Sequence, residues 1–152
     1  MLFRSRERLL IRPDEKPFTA LARAAEQRVS EFKPQGLANT AWAFASVNRP
    51  DEKLFTALAS AAEQRVSDFN AQGLANTAWA FASVNRPDEK LFTALARAAE
   101  QRVSEFNAQD LANTAWALAT VKCLDERLFG ALARVAKGRL SEFNTQELAN
   151  AA

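Results

Sequence analysis

The feature that most constrains this chain is self-similarity at a period of 37 residues: the stretch from 13 to 49 returns at 50–86, and again at 87–123. The first two copies differ only at Pro17/Leu54, Arg23/Ser60, Glu31/Asp68, Lys33/Asn70 and Pro34/Ala71, so 32 of 37 positions match. A fourth, partial copy runs from 124 to 152 and ends in LANAA. A period of roughly 20 to 50 residues marks stacked supersecondary units, each of which needs its neighbours to bury its apolar face. Recent duplication explains such closeness, so recurrence inside the chain does not by itself mark a residue as functional.

Each unit reads as two helices. In PDEKLFTALASAAEQRVSDF, from Pro50 to Phe69, the residues Phe55, Leu58, Ala59, Ala62, Val66 and Phe69 fall on one stripe of a continuous helix about 30 Å long. Pro50 suits the first helical position, and Asp51 and Glu52 complement the positive end of the helix dipole. The recurring acidic pair therefore reads as a helix start. A general acid and base would need a perturbing pocket and a partner that nothing in the pattern supplies.

The second helix, from Ala71 to Val84, is about 20 Å long and follows Asn70, a residue suited to accept hydrogen bonds from exposed backbone donors. Asn107 with Asp110, and Asn144 with Glu147, have capping-box spacing. Leu74, Ala75, Ala78, Trp79, Phe81 and Ala82 give this helix an apolar surface too wide for one partner, so stacked units must cover it. The expected fold is an all-α solenoid of tandem 37-residue helix-turn-helix repeats, about 3.5 of them with seven to eight helices, over 13–152 after a basic extension at 1–12. That extension, MLFRSRERLLIR, has a faint transit-peptide character, and a remnant of a preceding helix explains the same letters.

Composition removes most chemistry. There is no histidine, which excludes Ser-His and Cys-His pairs and the usual zinc ligand sets. The four glycines form no phosphate-cradling loop. Cys123, the single cysteine, has no partner for an intramolecular disulfide and stands where earlier units have Arg49 and Arg86, so it reads as an incidental thiol. No apolar run approaches the roughly 18 residues needed to cross a bilayer. The expectation is a non-enzyme without cofactor, metal, membrane segment or small-molecule substrate. Residues 1–12 carry four arginines against one glutamate, so of the overall +2 the remaining residues contribute −1, and the array is electrically balanced.

Three sets of residues recur at positions suited to binding. The first helices carry Lys16 and Arg23, Lys53, Lys90 and Arg97, then Arg127 and Arg134. A second row comprises Arg28, Arg65, Arg102 and Arg139. Stacking turns these rows into cationic ladders able to follow a phosphate backbone; the alternative is pairing with Glu26, Glu31 and their equivalents, or plain solvation. Asn39, Asn76 and Asn113, followed by Asn150, interrupt alanine-rich helices despite their cost in helix propensity. They suit hydrogen bonding to bases or to an extended peptide, or tie one repeat to the next, the last being slightly favoured. Trp42, Trp79 and Trp116 are able to stack on bases, but their alanine-rich setting favours burial between repeats.

The unit FNAQGLANTAWAFASV joined to RPDEKLFTALARAA, with LANTAWAFA at 37–45 and 74–82 and LANTAWALA at 111–119, resembles the octotricopeptide and heptatricopeptide repeats of organellar RNA-binding proteins. The resemblance spans 13–152 and implies an α-solenoid in a mitochondrion or chloroplast that binds single-stranded RNA and influences its stability, processing, editing or translation. Such proteins often end in a RAP domain, which this sequence lacks, and the last unit lacks its tryptophan, so the chain resembles a fragment or degenerate member. Near-identical units imply weak, base-tolerant contact with about three or four phosphates. The rival reading is a scaffold that grips an extended peptide of a protein partner, and a further one is a repeat fragment without function.

Overall fold

The computed structural model describes residues 15–122 and 126–138, with side chains from Pro17 onward. Among the described residues there are seven α-helices and no strand: α1 Glu15–Gln27, α2 Pro34–Ser46, α3 Glu52–Gln64, α4 Ala71–Ser83, α5 Glu89–Arg102, α6 Ala108–Thr120 and α7 Glu126–Gly138. The extension at 1–12, Cys123, Arg139, Asn144, Glu147 and Asn150 lie outside the described residues.

The second helices lie side by side in chain order, α4 packing on both α2 and α6, and these are the most extensive helix contacts in the molecule. The first helices follow the same order, α1 on α3, α3 on α5 and α5 on α7, while each second helix also touches the first helix of the next unit. The α2–α4–α6 contacts are built on small side chains: Ala38, Ala41, Ala45, Ala71, Ala75, Ala78 and Ala82 are all buried. Larger groups fill the space against the first helices, where the Phe55 and Phe81 rings meet edge to face at 5.1 Å. Burial of Leu54, Phe55, Leu58, Ala59 and Ala62 on α3 matches the expected stripe.

Two expectations about the first helix are corrected. It does not begin at Pro50: Asp51 is the N-cap, its Oδ1 accepting from the Leu54 amide at 2.9 Å, and Asp88 repeats this with Leu91 at 2.8 Å. Asp in extended backbone caps orphan amides directly, which outweighs the preference of Pro for the first helical position. Nor does it run unbroken to Phe69. The α-helix stops at Gln64, a 3₁₀ turn spans Val66–Asp68, and Phe69 is extended at φ −79°, ψ 145°. The break swings Phe69 to 1% exposure, as its equivalent Phe106 is, so burial of an aromatic ring overrides helix continuity. First and second helices are consequently of equal length in the second unit, 13 residues or about 20 Å each.

The second helices start and stop as their sequence dictates. Asn70 Oδ1 accepts from the Gly73 amide at 2.7 Å, and Asn107 and Asp110 form the expected capping box, with bonds of 2.7 and 3.2 Å. At the other end Asn48, Asn85 and Lys122 adopt φ of 54°, 57° and 59°. Around Asn48 the Arg49 amide returns to the Phe44 carbonyl and the Asn48 amide to Ala45, both at 2.9 Å, the paired bonds of a left-handed helix stop. Asparagine tolerates that conformation better than most residues, so the turn into the next unit is encoded locally.

Candidate nucleic-acid interface

Gln35, Asn39, Trp42 and Ser46 are spaced i, i+4, i+7 and i+11 along α2, which places them on one stripe, and all four are exposed. Gln72, Asn76, Trp79 and Ser83 repeat the stripe on α4, and Gln109, Asn113, Trp116 and Thr120 on α6. Because the three helices pack side by side, like residues stand in rows across them. The Trp42 and Trp79 rings are 6.2 Å apart between centroids and tilted by 34°.

This corrects the reading of Trp42 and Trp116 as buried between repeats, while Trp79 meets it in part. Trp42 is 47% and Trp116 44% exposed, with Trp79 half-buried between neighbouring units. Helix spacing set by buried alanine leaves no room for an indole directly between the helix axes, and Trp42 lies about 100° around α2 from the buried Ala41. Of the three indoles only Trp79 packs against the core, and the alanines supply most of the close contact that had been expected of alanines and tryptophans together. Asn76 and Asn113 are half-buried and Asn39 exposed, and among the described residues no side-chain hydrogen bond links any of them to a neighbouring unit. The role of tying repeats together therefore falls to other side chains.

Arginines perform it. The Arg65 guanidinium donates to the Phe32 carbonyl, and the Arg102 guanidinium donates to the Phe69 carbonyl, each reaching back into the preceding unit. Arg86 Nη2 donates to the Pro50 carbonyl at 3.2 Å, and the Arg49 guanidinium lies 4.9 Å from the centre of the Phe18 ring. Arg49 and Arg86 were missed as functional positions in the sequence; their signal was recurrence directly after the asparagine that ends each of the first two second helices. The Gln35, Gln72 and Gln109 row was missed too, although its spacing from the asparagines and tryptophans was visible.

The remaining cations stay in the layer of first helices. Arg23, Lys53, Lys90, Arg97 and Arg134 are exposed. Arg127 is exposed and paired with Glu100 of the preceding unit at 3.2 Å. Arg28 is exposed beside Glu31 at 4.0 Å, and Arg102 pairs with Glu105 at 3.1 Å. Lys16 belongs to α1, but its side chain, like Arg139, lies outside the described residues. In the second helices Asp110 is the one charged residue, and it is buried in its capping box. The structure thus separates the expected binding residues into two sets, an uncharged amide and indole strip on the second helices and a cationic set on the first.

Two crevices of about 340 and 320 Å³ recur one unit apart, the first bordered by Phe18, Phe44, Asn48 and Arg49 and the second by Phe55, Phe81, Asn85 and Arg86. Among the described residues no helix is long and apolar enough to cross a membrane. No curated protein is significantly similar in sequence to this chain. Residues 14–152 match the family model described as RNA-editing substrate-binding complex 6 protein, and the chain belongs to that family.

Proposed function

We propose that the chain is an α-solenoid of helix-turn-helix repeats that binds single-stranded RNA as part of an RNA-editing substrate-binding assembly. One observation carries the reading: in a family named for an RNA-editing substrate-binding complex, three near-identical units bring the same polar and aromatic side chains to matching, at least partly exposed places on α2, α4 and α6. A protein that reads RNA by repeats presents two or three side chains per unit to each base, and each of the three full units here offers a glutamine, an asparagine and a tryptophan. The octotricopeptide and heptatricopeptide resemblance supports the same function and an organellar, mitochondrial or chloroplast, setting. The exposed cations of the first helices supply nonspecific attraction for a polyanion.

The test is filter binding of a labelled single-stranded RNA pool at two salt concentrations, beside a pull-down from nuclease-treated lysate. With about three or four phosphates neutralised, the slope of log K against log salt is expected near −2 to −3. RNA that is not retained, together with protein partners that survive nuclease, rejects RNA binding in favour of a peptide-binding scaffold.

A further inference from the structure

The two sets of candidate residues separate by layer, and that separation bears on how an RNA would lie. We infer that the strip of Trp42, Trp79 and Trp116 with the flanking asparagines and glutamines is a stacking surface for unpaired bases, so that RNA crosses the second helices with its bases inward. This rests on the RNA-binding reading and adds the face, the contact chemistry and the base register. Phosphates would be poorly served on a strip that presents no exposed charge, whereas bases have an uncharged π-face and amide-complementary edges. Indoles held at 44 to 47% exposure at both ends of the row offer ring area to a ligand, and Trp79 between them is braced against Trp42. Amide side chains beside them are able to bond a base edge with donor and acceptor together.

The rows also replace the base-tolerant contact expected of near-identical units with a shared preference. The three full units each present the same glutamine, asparagine and tryptophan, so each of the three selects the same base. A homopolymeric run should therefore bind better than a mixed sequence of equal length.

Intrinsic fluorescence tests this without a label. The chain has three tryptophans and no tyrosine, and all three tryptophans lie on the strip, so emission excited at the indole band reports on this surface alone. Titrating the full chain with four short homopolymeric RNAs and a mixed sequence is expected to quench emission, most strongly for one homopolymer. Trp42→Ala and Trp116→Ala are each expected to weaken RNA retention about tenfold, the usual scale for losing one base stack, while Trp42→Phe retains most of it. Circular dichroism that matches the parent shows that the variants are folded. Retained RNA with unchanged emission, and alanine variants that bind like the parent, would overturn the strip while leaving RNA binding itself intact. A mixed sequence that outbinds every homopolymer would overturn the common preference, and failure of any RNA to be retained would remove both this inference and the reading beneath it.

Discussion

The Arg102 guanidinium donates to the backbone carbonyl of Phe69, the residue that ends the 3₁₀ turn of the preceding unit, and Arg65 does the same to Phe32. The carbonyl sits where the first helix has broken and no helical amide follows to claim it. A half-buried cation and a carbonyl freed by a helix break thus complete one another across a repeat boundary.

Removing that donor strands the carbonyl. Arg102→Met, which preserves much of the apolar stem, is expected to cost about 1.5 to 3 kcal/mol in chemical denaturation. Arg28→Met is expected to leave the midpoint nearly unchanged, since both Arg28 and its Glu31 partner are largely exposed. Equal effects of the two substitutions would refute the clip.

The first unit lacks the cap that the second and third have. Lys33 stands where Asn70 and Asn107 accept a backbone hydrogen bond, and no side chain caps α2. Lys33→Asn is expected to stabilise the chain by about 0.5 to 1 kcal/mol, read as a rise in Tm, and Asn70→Ala to destabilise it by about 1 kcal/mol. Gly73→Asp should complete a capping box like that of Asn107 and Asp110; a Cβ there meets Asn70 Oδ1 at 3.1 Å, and the equivalent Asp110 is already accommodated in the third unit.

Lys122 holds φ 59° where the two earlier units place asparagine. Lys122→Asn restores the residue suited to that conformation and is expected to raise Tm by about 2 °C, corresponding to a few tenths of a kcal/mol or more. A fall in Tm would mean that lysine makes a compensating contact with the end of α6.

Thr77 and Thr114 are buried with hydroxyls that find no hydrogen-bond partner. Thr77→Val keeps the shape and removes the unsatisfied group, so it is expected to be neutral or stabilising by up to about 1 kcal/mol in thermal unfolding. Marked destabilisation would show that the hydroxyl is bonded in solution, to water or to the preceding turn of α4.

The period, the two helices per unit, the alanine-rich contact between second helices and the Asn107–Asp110 capping box were legible because each depends on residues close in sequence or on simple periodicity. Phe69 was correctly expected in the core, but not the turn that delivers it, because a six-point stripe fits a continuous helix as well as a broken one. Trp42 and Trp116 were misjudged for a related reason. Composition marks an indole as apolar, whereas its position is decided by how closely Ala38, Ala41 and Ala45 let α2 approach α4, a distance that no single helix contains. The clips of Arg65, Arg86 and Arg102 span 33 or 36 residues, just under one repeat, so they are invisible to any reading made within one unit.

On the proposed reading, unpaired RNA lies on the second helices. Ultraviolet crosslinking of a short single-stranded RNA to the full chain, followed by peptide mapping, addresses it directly. Adducts in the peptides carrying Trp42, Trp79 and Trp116 are predicted, competed away by unlabelled single-stranded RNA but not by duplex. Adducts confined to the cationic first helices, or equal competition by duplex, would contradict the account.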